Sequence, residues 1–377
     1  MDKEIIMANV LSVVSYKIFP AKLGGQKGIA LFSKYFSNYH TFLMVTVEAN
    51  DPAYADYPVL NILSNSRIRY INPVYFFTLR NIIRKHKITH LMLEHPYYGW
   101  LGLLLKRFVG VKLIVHSHNI EAIRFKSINK WWWGILWNYE RFVHRHADFT
   151  FCITNEDRQY MISKFNLLPQ NSAVVTYGTE LSRAPSMAEC NESRMFLENT
   201  YSFSGKETVF LFNGTLDYLP NLEALRTILE RINPLFMQKG ISYKIIICGK
   251  NLPEEYEGLK NYRDKNIIYA GFVEDITSYF KGADVFLNPV TDGGGIKTKL
   301  VEALGYNLPV ISTTNGAIGV DPGICNQRLT VIPNGNWEEF VEVMAQSLDL
   351  PPIPDAFFET FNWEHIAQKA ANIVSDL

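Results

Sequence analysis

Three consecutive glycines, Gly293 to Gly295, followed closely by Lys297, Lys299 and Glu302, are the residues of this chain best suited to hold a charged ligand. Glycine lets backbone N–H groups approach a ligand closely, and the start of a helix offers unpaired donors with a partial positive charge. The spacing predicts a helix that begins near Ile296. Lysines in a first helical turn oppose the helix dipole by roughly 0.3–1 kcal/mol each, so an anion is expected to compensate them. A phosphate-bearing ligand meets that need. Lys299 and Glu302 are three apart and share a helix face, an ammonium for phosphate and a carboxylate for sugar hydroxyls. The same glycines also fit an ordinary turn between a strand and a solvated helix start.

These residues need strands on either side to position them, and the sequence supplies apolar runs over 284–289 and 309–312. Strand-like runs alternate with amphipathic stretches along the whole chain, the pattern of parallel sheets covered by helices. In the first half, strands are expected over 11–18, 42–47, 67–71, 90–94, 112–116, 149–154 and 173–176. In the second half they are expected over 209–213, 244–248, 267–269, 285–288 and 310–312, with helices over 221–237, 276–281, 296–304 and 363–377. The polar stretch 181–207 reads as a linker with at most one helical piece. Ligands of such open sheets bind at the carboxyl ends of the strands.

The chain is 377 residues long, enough for about two domains. Lys plus Arg and Asp plus Glu number 37 each, so no global field attracts nucleic acid, and a diphosphate must be held by local charge. Cys152, Cys190, Cys248 and Cys325 show no metal-ligand spacing; Cys152 and Cys248 lie in apolar strand-like runs that suit buried, reduced thiols, as in a reducing cytoplasm. No stretch has the length and hydrophobicity of a signal peptide or a membrane span; the run from Val10 to Ile18 reads as a first buried strand.

With these residues in place, the chain resembles the retaining glycosyltransferases of family 4. The resemblance covers nearly the whole chain. It implies an α/β fold of GT-B type, two Rossmann-like domains with parallel sheets facing a central cleft. The domains expected are 1–180 on the acceptor side and 208–360 for the nucleotide sugar, with 361–377 returning to the first. The run from Phe212 to Asn221 resembles the opening of the family's donor domain. Gly293 to Glu302, with Ala303, Gly305, Pro309 and Val310, resembles the donor-site strand, helix and strand. Phe361 to Glu364 is similar to the start of the closing helix, and Tyr177 to Glu180 to the segment closing the first domain. Gly24 and Gly25 occupy the place of a glycine loop facing the donor phosphate, and His118 to Glu121 that of a loop approaching the donor sugar.

The resemblance implies a nucleoside-diphosphate sugar as donor, a glycan or lipid-linked glycan as acceptor, and neither metal nor separate cofactor. The donor is expected to meet Gly24, Gly25, Gly214, Thr215, Gly293, Gly294, Gly295, Ile296 and Glu302, the last on the ribose hydroxyls. His118, Lys297 and Lys299 are the expected catalytic residues. Two departures bear on this assignment. Gly294 stands where the family carries the first of two glutamates, and Thr215 stands near where many relatives place diphosphate-binding Arg and Lys. Lys297 and Lys299 are therefore expected to supply that charge. Asp292 and Glu121 fit turn or cap positions, and Asp217 and Asn221 fit loop-shaping and capping roles.

Residues 123–145 combine Trp131, Trp132, Trp133, Trp137, Tyr139 and Phe142 with five Lys and Arg side chains. Aromatics among cations suit the inner face of a membrane, although the same tryptophans also fit packing inside the first domain. Two other functions share these features: a nucleotide-sugar epimerase of the same architecture, and a binding subunit without turnover. A dinucleotide dehydrogenase fits less well, because the first strand-helix turn reads Gly24-Gly25-Gln26-Lys27-Gly28 and lacks GxGxxG.

Overall fold

The computed structural model describes residues 7–21, 24–346 and 350–377. It divides into two compact units, Met1–Glu180 with Phe361–Leu377, and Leu181–Thr360. Each is a parallel sheet flanked by helices.

The first unit has strands β1 (Asn9–Val14), β2 (Thr41–Val47), β3 (Val59–Leu63), β4 (His90–Glu94), β5 (Lys112–Ser117), β6 (Phe149–Cys152) and β7 (Ser172–Val174). Their order is β3-β2-β1-β4-β5-β6-β7, so the strand order reverses between β1 and β4. Helices α1 (Gly24–Phe36), α2 (Val74–Lys85), α3 (Gly99–Val109), α4 (Glu121–Ser127) and α5 (Trp133–His146) supply most of the cover. Leu79 of α2, Leu105 of α3 and Val143 of α5 pack in one core with Leu11, Leu93 and Leu113 of the sheet. Gly102 lets α3 sit close, since a Cβ there would lie 2.8 Å from Leu113 Cδ1 and 2.9 Å from Leu93 Cδ1. The terminal helix Trp363–Ser375 packs against α1, and the His40 ring reaches its Ala371 carbonyl at 3.1 Å.

The second unit has strands β8 (Thr208–Asn213), β9 (Tyr243–Cys248), β10 (Ile267–Gly271), β11 (Val285–Asn288), β12 (Val310–Thr313) and β13 (Leu329–Ile332). The order β10-β9-β8-β11-β12-β13 reverses between β8 and β11. Phe210, Phe236, Ile245 and Leu287 lie in its core.

Several expected elements differ from those observed. Residues 67–71 alternate like a strand but form the 3-10 turn Arg67–Ile71, whose start is capped by Ser66 Oγ on Ile68 N. The edge strand is β3 instead, short and only partly buried, which weakens its apolar signature. β13 also escaped the sequence reading, for the same reason of length. The stretch 181–207, expected as a linker, holds the helix Met187–Tyr201, started by a Ser186–Glu189 capping box. Arg194 anchors it, donating to Glu198 Oε1 at 2.8 Å, to Asp284 Oδ2 at 2.8 Å and to the Glu207 carbonyl at 2.5 Å. That segment is therefore an integral part of the second unit. Among the described residues, no helix is long and apolar enough to cross a membrane.

Candidate functional site

In the second unit, β8 and β11 end side by side where the strand order reverses, the position at which open parallel sheets present their ligand sites. The helix after β11 is Thr298–Gly305, with Lys297 at its N-cap. It starts two residues later than the spacing predicts, and this changes the roles of the lysines. Lys297 is not a first-turn cation: its ammonium reaches back to the carbonyls of Gly293 and Gly295, both at 2.9 Å. Asn315 Nδ2 also donates to the Gly293 carbonyl, at 3.2 Å. The glycine bend thus turns carbonyls toward Lys297 and Asn315. Gly293 and Gly295 have φ of +88° and +70°, a conformation that favours glycine, while a Cβ on Gly294 would meet open space.

Lys299 crosses to the other strand. Its Nζ donates to the Asn213 carbonyl and to Asn221 Oδ1, each at 3.0 Å, and lies 4.6 Å from the centroid of the Phe212 ring. Burial, and secondarily Lys297, pulls its pKa down to about 7. Among the described residues no carboxylate pairs with it. Gly214 makes this geometry possible, because a Cβ there would lie 2.8 Å from Asn221 Nδ2. Asn221, expected as a loop-shaping or capping residue, lies inside the helix Leu219–Thr227 and caps nothing; its side chain ties Lys299 to the Thr215 carbonyl. Below the bend, Asn288 Nδ2 donates to Ser312 Oγ and to the Gly316 carbonyl, each at 3.0 Å. Asn213 Oδ1 and Asn288 Oδ1 are buried without a hydrogen-bond partner among the described residues. Thr215 accepts through its carbonyl from Asn221 Nδ2 at 3.1 Å, Ile296 lies just before the helix, and Glu302 lies within it.

The first unit gathers a different chemistry at its own reversal point. Glu94 ends β4 in register with His116 of β5, and it is buried. Its Oε2 receives His118 Nε2 at 2.6 Å and faces His116 Nδ1 at 3.0 Å. The rings of His95, His118 and His116 follow one another at centroid distances of 4.7 and 4.4 Å. Burial opposes ionisation of Glu94, but His116 and His118 outweigh it and hold the carboxyl well below its usual range. Burial, with His116, lowers the pKa of His118. The His118 Nε2–H donates to a carboxylate, so Nδ1 remains as the acceptor. His95 adopts φ +69°, unusual for a residue with a side chain and a frequent mark of functional sites.

Glu121, expected as a turn or cap residue, is instead a buried hub. It accepts from the Tyr97 hydroxyl at 2.6 Å, from Asn119 Nδ2 at 2.8 Å and from Arg124 Nε at 3.0 Å. Glu140 of α5 caps the start of α4 across the fold, accepting from Glu121 N at 3.0 Å and Ala122 N at 2.8 Å. Burial pushes its pKa up to about 8 despite those two donors. Gly24 and Gly25 open α1 rather than forming a loop, so the N–H groups they contribute are those of a helix start. One ligating atom from each of Glu94, His116 and His118 lies within 4.8 Å of the others, the group among the described residues that could take a cation. Of the two imidazoles only His118 hydrogen-bonds the carboxylate; both ring nitrogens of His116 and Glu94 Oε1 are buried without a hydrogen-bond partner among the described residues.

Sequence reasoning missed Glu94, His95, Glu140, Asn288 and Asn315. A carboxylate ending an apolar strand at Glu94 was the available signal. The others are brought in by tertiary register alone.

Residues 207–349 match Glycosyl transferases group 1, and residues 24–183 match Glycosyltransferase Family 4. An uncharacterized 44.6 kDa protein in the cps region of Klebsiella pneumoniae is 30% identical over 159 residues, 41% of this chain and 40% of that protein. Chitobiosyldiphosphodolichol beta-mannosyltransferase of Debaryomyces hansenii is 23% identical over 274 residues, 65% of this chain and 57% of its own length. The chain thus spans about half the length of these curated relatives. The crystal structure of Anabaena HepE in complex with UDP matches with a TM-score of 0.75 at 14% identity, covering 98% of this chain and 100% of that one.

Proposed function

The chain belongs to the group 1, family 4 glycosyltransferases, and from that premise we propose that it moves a sugar from a nucleoside-diphosphate sugar to a glycan or lipid-linked glycan acceptor, with retention at the anomeric carbon. The observation that carries this reading is Lys299. Its ammonium is held by two neutral acceptors at the reversal point of the second sheet, with no carboxylate paired to it. A diphosphate supplies the missing negative charge.

In the proposed reaction the bond between the anomeric carbon and the diphosphate oxygen breaks, and a bond to the acceptor oxygen forms on the same face. The leaving phosphate takes the acceptor's proton, so neither a protein base nor a metal is required. Negative charge grows on the diphosphate as the bond breaks, and donors already aimed at it are worth about 3–4 kcal/mol each. Lys299 provides that charge. Lys297 holds the bend of Gly293, Gly294 and Gly295 in place through its carbonyls. Ile296 and the Gly214–Thr215 backbone flank the diphosphate, and Glu302 takes the ribose hydroxyls. Gly24 and Gly25 offer the N–H groups of the α1 start to phosphate. His118 accepts a sugar hydroxyl through Nδ1, with Glu94 fixing its tautomer. The protein works in the cytoplasm at the inner membrane face, with residues 123–145 toward the lipid.

Thermal-shift measurements with UDP, GDP, dTDP and ADP test the reading, since a ligand at a hundred times its Kd stabilises by about 2.7 kcal/mol. One nucleotide should raise the Tm, and Lys299→Ala should abolish the shift. No shift with any of the four, or the same shift in Lys299→Ala, would refute it. NMR of the product anomer then decides retention.

A further inference from the structure

The balanced charge of the whole chain conceals a segregated one. Between Tyr57 and Ala147 there are fourteen Lys and Arg residues and only three acidic ones, Glu94, Glu121 and Glu140. All three are buried, at 1%, 1% and 0% exposure, and are committed to the network described above. The surface of this segment therefore carries cations with no exposed carboxylate of its own.

The same segment exposes large apolar side chains along three helices that lie side by side on one face of the sheet. α2 and its preceding turn present Ile71, Val74 and Phe77 at 75%, 60% and 61% exposure. α3 presents Phe108 at 65%, and Phe76 bridges it to Phe77 through ring contacts of 6.3 and 5.4 Å. α5 and its lead-in present Trp131, Ile135 and Phe142 at 84%, 67% and 53%. Singly exposed apolar residues are ordinary, but a face shared by three adjoining helices calls for an occupant. Exposed Arg84, Arg107, Lys130 and Arg145 stand among them. Of the other cations in the segment, Lys106 is neutralised by Asp148 at 3.0 Å and Arg124 by Glu121.

We propose that the outer face of α2, α3 and α5 docks on an anionic lipid surface, its aromatic side chains entering the interface and its arginines meeting lipid phosphate. This deepens the membrane-facing reading of residues 123–145 and stands apart from the donor chemistry. It also redraws that surface. Trp137 is tied inward, its Nε1 donating to the Tyr160 hydroxyl at 3.0 Å, and Tyr139 donates to the Tyr97 carbonyl at 3.2 Å. The contribution of α2 and α3, outside 123–145, replaces them. Apolar insertion and cationic attraction together are the combination that binds a protein reversibly to a membrane without a spanning helix.

The test is flotation of the full chain with vesicles of phosphatidylcholine alone and with added phosphatidylglycerol. Binding at least tenfold tighter to the anionic vesicles, and released by about 0.5 M salt, is expected. Each basic charge near such a surface is worth about fivefold in affinity, so Arg84→Glu, Arg107→Glu and Arg145→Glu combined should lower it more than a hundredfold. Phe77→Ser with Phe108→Ser should lower it independently of salt. These residues lie on the surface, and unchanged Tm and unchanged nucleotide-induced shift will show that fold and donor site survive. Absence of vesicle binding, equal binding to neutral lipid, unaltered binding by both variants, or a dimer in light scattering that the phenylalanine variant dissolves would each overturn the proposal.

Discussion

The two sheets share a topology, yet the ends of their central strands carry opposite chemistry. At the reversal point of the first, a buried carboxylate faces two imidazoles and accepts a hydrogen bond from His118. At the reversal point of the second, a buried ammonium is held only by neutral oxygens. The first carboxylate meets imidazoles of its own unit, whereas the second ammonium meets neutral oxygens alone, the arrangement on which the proposed diphosphate site rests. The unit compositions follow the same division: 22 Lys and Arg against 14 Asp and Glu in the first, 15 against 23 in the second. The lysines of the glycine bend thus sit in the more acidic unit, so their charge is a local device.

The comparison can be broken most forcefully at Glu94. Glu94→Gln replaces the charged acceptor of the His118 Nε2–H by a neutral amide and should cost about 1–3 kcal/mol of stability, read by urea unfolding. A loss below about 1 kcal/mol would mean that the first site is not internally paired. Lys299→Met should behave in the opposite sense, lowering turnover about 10²–10³-fold with stability kept or improved. If Lys299→Met instead unfolds the protein, the ammonium is structural. Gly214→Ala pushes Asn221 off Lys299 and should cost about 1–3 kcal/mol with a matching rise in the nucleotide Kd.

The smallest effect is the most diagnostic. Lys299 has a folded pKa of about 7, below the free-lysine value of about 10.4. Between those values the unfolded chain binds the extra proton, so this group makes stability rise with pH from about 7 to 10. Lys299→Met should flatten that slope. A bound diphosphate raises the lysine's pKa, so nucleotide binding at pH 8 should take up as much as one proton, measured by calorimetry in buffers of different ionisation enthalpy. Proton release would contradict a diphosphate beside Lys299.

The second site was largely legible in the sequence because its parts are local: glycines, lysines and the flanking strands lie within one short run. What was lost was phase. The helix starts at Thr298, and that displacement turns Lys297 from a ligand-facing cation into a clasp on its own loop. The first site was legible only at His118, since Glu94 and Glu140 reach it through strand register and helix packing. Strands β3 and β13 were missed because short edge segments bury too little to show a period. The helix Met187–Tyr201 was read as linker because only Ser193 and Leu197 are buried on it.

The terminal helix has a consequence for biogenesis. The second unit is one continuous stretch, whereas the first is closed by Phe361–Leu377. Synthesis runs from the amino end, so the unit begun first is finished last, and the helix start at Gly24 stays without its Trp363–Ser375 cover until the ribosome has delivered that late segment. Until then the apolar faces that α1 and the terminal helix turn to each other lack their partner.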